Sequence, residues 1–375
     1  MAIYQFLIAV RSGGPGQQSF QLTNADGETT SHVQGLLSRT IRFMTEGLQP
    51  VFVFDGKAPE LKSGELLKRR EKREKAESAL KAAVEESNVE EQNRQSKRLV
   101  RAGRKENEDC QKLLRLMGVP VVMSPCEAEA QASHLARTGQ VYACGTEDMD
   151  ALTFRTPFLV RKMTFAGASK SAVQIMEYEK AVAGLGLTHE QFVDLCIMLG
   201  CDYCDTIKGV GPKTALKLIR EHGNIETILE TIDRKKYTVP DAWVPNEKSA
   251  EVSDQDEESP PAPAEDEKQE AVPAYVMARN LFLEHPVEDK VELKWKPCQK
   301  DDLTKFLVDE MGFSPDRVAS SIEKLQKAYQ ANRKPQSRMD SFFKPKPVDP
   351  AKAAKMAAKR KAEAKKKGPA NKKKR

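Results

Sequence analysis

Apolar runs that end in acidic residues limit what this chain can fold into. Val51-Phe52-Val53-Phe54 runs into Asp55, and Val141-Tyr142-Ala143 leads to Thr146-Glu147-Asp148-Met149-Asp150. Glu127 and Glu129 follow Ser124-Pro125, and Asp202 follows Ile197-Met198-Leu199-Gly200. In an open α/β sheet, ligands bind in the crevice at the carboxyl ends of the parallel strands. Carboxylates converging there without a Cys/His ligand set suit hard, oxygen-preferring cations such as Mg2+ or Mn2+. Two such ions, roughly 3.5–4 Å apart, form a site for hydrolysing a phosphodiester. Plainer readings stand beside this one. Glu127 can be the third-position glutamate of a capping box opened by Ser124 with Pro125 at N1. Asp148 and Asp150 can cap a following helix, and Asp55 can be a turn residue. Glu127 and Glu129 also lie about 200° apart on a regular helix. Both reach one site only from an irregular first turn, or one of them acts through water.

The chain has 375 residues, 39% hydrophobic and 31% charged, which fits a soluble globular protein with solvated appendages. Its longest apolar runs are too short for a membrane span, and no secretory leader is expected. Seven cysteines without regular spacing suit a reducing compartment. The net charge of +6 is misleading: residues 344–375 hold 14 basic and two acidic residues, so the remainder carries −6. A nucleic-acid partner must therefore be argued from local patches.

Along the chain, Ile3–Val10 reads as a core helix, and Thr29-Thr30-Ser31 offers N-caps for a helix through Leu36, Leu37, Ile41 and Met44, stopped by Gly47. Residues 60–115 are mostly charged; they suit a long solvated helix held by i,i+4 pairs, or a helical arch touching phosphates. Val119–Met123 is a second strand. Strand and helix then alternate, which predicts a mostly parallel central sheet flanked by helices. Thr188-His189-Glu190-Gln191 opens a helix to residue 199. Gly209-Val210-Gly211-Pro212 turns into another, Lys213 to His222, ended by Gly223. Residues 249–273 are acidic and proline-rich and read as a disordered insert.

Glycines before a helix N-terminus expose N–H groups to a phosphate, although an ordinary interhelical loop has the same sequence. The position of Gly209 to Lys213 between two amphipathic helices favours a helix–turn–helix that holds duplex backbone. Cys201 and Cys204 form a C-x-x-C pair with no matching second pair, and read as ordinary thiols rather than a zinc or redox site. In Gln336-Ser337-Arg338-Met339-Asp340-Ser341-Phe342-Phe343, the apolar residues have no core to join and suit a single helical turn docking in a partner pocket. The lysine-rich end suits nuclear import or non-specific attraction to DNA.

Together, VFVFDGKAPELKSGEL, SPCEAEA, TEDMDALTF, FVDLCIMLGCDYC, GVGPK and QSRMDSFF resemble the eukaryotic flap endonucleases, in family order and across residues 3 to 343. The resemblance implies an α/β fold with a helical arch, an H2TH-like DNA-binding element and a disordered basic tail. It divides the chain into an N-terminal nuclease region (1–73), an arch or linker (74–90), and an internal nuclease region with the helix–turn–helix (91–222). A C-terminal region (223–335), a sliding-clamp motif (336–344) and a basic tail (345–375) follow. It implies one metal ion on Asp55, Glu127 and Glu129, and a second involving Asp148, Asp150 and Asp202. Lys62 and Arg69 would steady the scissile phosphate, and Tyr4 would stack on a base. Arg11, Arg39, Glu127, Gly200 and Asp202 match DNA-contacting positions. Gly209, Gly211 and Lys213 match the helix–turn–helix, which works with K+. Gln336, Met339, Phe342 and Phe343 match the motif that docks on the clamp PCNA. The implied activity is structure-specific 5′ flap cleavage with 5′→3′ exonuclease activity, in Okazaki-fragment maturation and base excision repair. The implied location is the nucleus (nucleolus and nucleoplasm), with a mitochondrial pool common in the family.

In the family, a strand ending in a further metal-binding Asp lies just upstream of the segment matching Met1–Val10, and this chain starts after it. The expectation is therefore one ligand and one strand fewer. That motivates an alternative, a non-catalytic clamp-tethered binder of flap DNA. A phosphohydrolase of small molecules is a weaker alternative, since it would have no use for the arch charges, the Gly-Val-Gly turn or the clamp motif. Cys201 stands where the family commonly has Ser.

Overall fold

The computed structural model describes residues 29–86, 88–99, 102–163, 172–244 and 272–332. The expected helix over Ile3–Val10, nearly all of the acidic insert and the clamp motif lie outside them. Strand β1 (Phe52–Phe54) pairs in parallel with β2 (Val121–Met123), Phe52 opposite Val121 and Phe54 opposite Met123. A parallel pair needs a long crossover, and here the charged stretch supplies it. It is not one long helix. α2 (Ser63–Glu85), α3 (Val89–Arg98) and α4 (Arg104–Leu116) are separate: the Asn88 side chain accepts from Glu91 N–H at 3.1 Å and starts α3 anew, and Gly103, whose N–H donates to Glu106 Oε2 at 2.8 Å, starts α4. α3 packs back on α2, where Ala76 and Ala83 are small enough to be covered. The rest of α2 is largely solvated, with the expected i,i+4 pairs Arg69–Glu65 (3.1 Å) and Arg70–Glu74 (2.9 Å).

α1 (Ser31–Thr45) starts and stops where expected and buries Val33, Leu36, Leu37, Ile41 and Met44, a spacing that lines one helical face. That face packs on α4 and on α12 (Pro315–Ala331), while α11 (Lys300–Lys305) packs on α4 and α12, giving a core centred on Leu36, Leu113, Leu114 and Phe306. A second sheet contains β3 (Cys144–Gly145), β4 (Phe158–Arg161) and β5 (Gln174–Glu177); β3–β4 is parallel and β4–β5 antiparallel. Two of the three described pairings are thus parallel, as the alternation of strands and helices predicts. Among the described residues the strands fall into two separate sheets.

Helix α5 (Ala128–Arg137) follows β2, and α6 (Tyr178–Leu185) follows β5. α7 (His189–Leu199) opens on the predicted capping box. Gln191 N–H donates to Thr188 Oγ1 at 3.3 Å, and Thr188 N–H to Gln191 Oε1 at 3.0 Å. α7 packs with α8 (Pro212–His222), α9 (Ile225–Thr231) and α10 (Ala274–Leu283) around Ile197, Met198, Ile219 and Trp243. Arg279 of α10 ties this bundle together, donating to Asp194 at 2.6 and 2.8 Å and to Glu226 at 2.7 and 2.9 Å. Among the described residues no single helix is long and apolar enough to cross a membrane.

Candidate active site

Asp55 leaves β1 towards the start of α5, where its Oδ1 accepts from Ala128 N–H at 2.9 Å. Gly56 makes the approach possible. A Cβ there would lie inside contact distance of the Ser124 and Pro125 carbonyls, while its N–H donates to Cys126 O at 2.7 Å. The ends of β1 and β2 are thereby stitched together, and Asp55 and Glu127 emerge side by side.

Glu127 is not the third-position glutamate of a capping box. It is itself the residue before α5, in an extended conformation (φ −91°, ψ 134°). Ser124 does not cap the helix either; its hydroxyl accepts from Cys126 N–H at 3.2 Å and donates to Glu127 O at 2.9 Å. Because Glu127 precedes the helix and Glu129 lies in its first turn, the angular conflict between them disappears. The Glu127 carboxylate is held on both oxygens: Lys62 Nζ donates to Oε1 at 2.6 Å and Tyr203 OH to Oε2 at 2.6 Å. Its N–H donates to His285 Nε2 at 3.3 Å, while His285 Nδ1 faces Leu281 O at 3.2 Å. An accepting Nε2 requires the neutral ring, and burial lowers the His285 pKa accordingly.

Lys62 reaches Asp202 Oδ2 as well, at 3.0 Å, and Arg69 Nη2 donates to both Asp202 oxygens at 2.9 Å. These cations come from the base of α2, and Asp202 from the loop after α7, so the arch is docked to the acidic site by charge. Burial opposes the charge on Lys62, yet Glu127 and Asp202 outweigh it and raise its pKa. Burial likewise pushes Asp202 up, but Lys62 and Arg69 more than reverse this.

Asp148 caps a single turn, Met149–Leu152, by accepting from Asp150 N–H at 3.1 Å, which is the plainer reading of that residue. Its own N–H donates to Thr146 Oγ1 at 3.1 Å, and the Thr146 hydroxyl faces Glu129 Oε1 at 3.5 Å. Asp150 is pushed up to about 7, first by burial and then by Asp148, Asp202 and Glu127. Glu129 is raised by burial, with Asp55 and Asp148 adding to it. The six acids therefore share one electrostatic neighbourhood.

They do not, as they stand, form ready ligand cages. Among the described residues no three His, Cys, Asp or Glu side chains are grouped to grip one ion. The expected trios Asp55–Glu127–Glu129 and Asp148–Asp150–Asp202 are thus not gathered. Lys62, Arg69 and Tyr203 occupy the oxygens of Glu127 and Asp202 instead. The chemistry of the donor set still suits a hard divalent cation. It consists only of carboxylates, and the burial and mutual repulsion that raise Asp150 and Glu129 are what such a cation relieves.

Farther along, Gly200 ends α7 at φ +117° and Gly209 turns at φ +90° beside the Tyr237 ring. Gly211 precedes α8, Pro212 opens it, and Lys213 is exposed in its first turn. The predicted turn between two helices is present. Tyr4 and Arg11 lie outside the described residues. Arg39 is half-buried on α1, and burial lowers its pKa to about 10 against the pull of Glu147. Cys201 and Cys204 are free thiols. Sequence reading missed Tyr203 and His285. Tyr203 adjoins Asp202 and could have been suspected, but nothing local marks His285, 158 residues from Glu127.

Known proteins share this chain's sequence and fold. Residues 1–76 match the XPG N-terminal domain and residues 118–202 the XPG I-region. Flap endonuclease 1 of Phaeodactylum tricornutum is 69% identical over 372 residues, 97% of this chain and 88% of that protein. The Phytophthora infestans flap endonuclease 1 is 48% identical over 373 residues, 98% of this chain and 88% of its own length. Among solved structures, the flap endonuclease-1 from Methanococcus jannaschii matches with a TM-score of 0.61 at 30% identity, covering 88% of this chain and 90% of its own. The DNA-bound catalytic core of Rad2, at 22% identity and a TM-score of 0.57 over 86% of this chain and 89% of its own, shares the fold. A helix-rich α/β chain with these acids at its strand ends, matched over nearly its whole length, belongs to the flap endonuclease family, nucleases that hydrolyse DNA phosphodiester bonds.

Proposed function

We propose that this chain is a structure-specific nuclease that cuts 5′ flaps at branched DNA and trims 5′ ends, serving Okazaki-fragment maturation and base excision repair. The observation that carries the reading is the docking of arch residues Lys62 and Arg69 on Glu127 and Asp202 at the strand ends. Both cations are held where an incoming phosphate can exchange with a carboxylate partner, and a guanidinium offers paired donors to phosphate oxygens. Asp55, Glu127, Glu129, Asp148, Asp150 and Asp202 would hold the metal ions, Mg2+ or Mn2+. When bound, these ions would activate water and neutralise charge on the phosphate. Tyr203 and His285 fix the orientation of Glu127, and Thr146 faces Glu129.

Gly200 and Arg39 would meet the DNA near the cut, together with Tyr4 and Arg11. Gly209, Gly211 and Lys213 would receive duplex phosphates, with K+ as a helper, because N–H groups at a helix start attract anions. Gln336, Met339, Phe342 and Phe343 would dock on the PCNA clamp, and the basic tail would favour a nuclear location. The non-catalytic reading draws no support from the relatives, which are named as endonucleases.

Mg2+-dependent cleavage of a 5′-flap duplex tests the reading, with Asp150→Ala as the variant. The expected result is cutting at the flap base by the native chain and none by Asp150→Ala, with flap affinity nearly unchanged. Lost binding with retained turnover would count against it.

A further inference from the structure

The loop that presents Asp202 also carries two thiols that the proposed reaction does not use. Cys201 and Cys204 flank Asp202 and Tyr203, and their sulfurs are 3.8 Å apart. Both are half-buried, so small oxidants have access, whereas Cys110, Cys126 and Cys144 are buried. The residues between the thiols are the ones that touch the site. Asp202 holds Lys62 and Arg69, and Tyr203 holds Glu127.

We infer that Cys201 and Cys204 are an oxidative modification site, closed to a disulfide by a peroxide and reopened by thiols, and that closure weakens cleavage. One thiol, ionised by losing its proton to water, attacks the O–O bond of hydrogen peroxide, giving a sulfenic acid and hydroxide. The second thiol attacks the sulfenic sulfur, the S–S bond forms, and the sulfenic oxygen leaves as water. Two thiols are oxidised to one disulfide, and one peroxide is reduced to two waters. Closing the bond draws the sulfurs together by about 1.5–2 Å. The only chain between them is Asp202-Tyr203, so the carboxylate that holds the arch and the hydroxyl that holds Glu127 shift with it. Transient redox-sensing disulfides of this kind occur in otherwise reducing compartments. The effect on cleavage rests on the proposed nuclease activity; formation of the bond does not.

The full chain would be treated with hydrogen peroxide, its peptides mapped by mass spectrometry without reduction, and 5′-flap cleavage measured before and after dithiothreitol. The expected result is a Cys201–Cys204 cross-link with cleavage lowered by about tenfold or more and restored by dithiothreitol. Cys201→Ser and Cys204→Ser should each cleave normally and resist peroxide. A cross-link elsewhere, none at all, or peroxide sensitivity unchanged in both variants would overturn the inference. A cross-link that leaves flap cleavage unaltered would overturn its regulatory part, and an untreated chain that never cleaves would instead indict the nuclease reading.

Discussion

Tyr203 shows how a single hydroxyl can govern the site. It donates to Glu127 at 2.6 Å while Lys62 takes the other oxygen, so the carboxylate has little freedom to turn. Tyr203→Phe removes one charge-assisted hydrogen bond, which is expected to cost about 1–3 kcal/mol of stability in urea titration. It should lower flap cleavage more than flap binding. Arg279 is a structural counterpart. Asp194 is 3% exposed and has both oxygens on the guanidinium. Arg279→Ala would leave that charge buried without its partner, at about 3–5 kcal/mol, read as a lower urea midpoint. Replacing Arg279 by Lys should recover only part of the loss, because an ammonium cannot match the paired donors of the fork.

Among the elements, the crossover between β1 and β2 is the one whose stability is least like the rest. α2 is covered chiefly at Ala76 and Ala83 and docks on the body through Lys62 and Arg69. Ala83→Glu would push α3 away without touching the main cores. Limited proteolysis is expected to speed up within residues 63–98 while the global melting temperature changes little. The turn at Gly56 behaves oppositely, since the backbone of Ser124 and Pro125 fills the space a Cβ would need. Gly56→Ala should therefore separate Asp55 from Glu127 and reduce cleavage by more than its effect on melting suggests.

For the whole molecule, buried histidines and buried acids pull stability in opposite directions as pH falls. His189, beside Tyr178 OH at 2.8 Å, is lowered to about 4, chiefly by burial. His32 and His285 are lowered for the same first reason. An unfolded chain takes up these protons near pH 6.5 and the folded chain only at lower pH, so their contribution to stability is full above about 6.5 and is lost as pH drops towards 4. Asp150, raised to about 7, acts in the opposite sense and adds stability as pH falls through 7, so the histidine contribution is read by difference: in thermal melts from pH 7.5 to 5, His189→Gln should lose less stability, or gain more, than the native chain. Much of this protein was legible in its sequence. The helix boundaries at Gly47, Thr188 and Gly223, the strand leading to Asp55 and the turn at Gly209 follow from periodicity and backbone preference, which act over a few residues. The acids, too, were legible as a set, because carboxylates after apolar runs are rare enough to stand out. Their pairing was not. Only the fold could put Lys62 and Arg69 on Asp202, more than 130 residues away, bring His285 under Glu127, and move Glu127 from inside a helix to its threshold. Local sequence fixes which dihedral angles are cheap, whereas partners across the molecule depend on how the helices pack, and packing sums over residues that no short window contains.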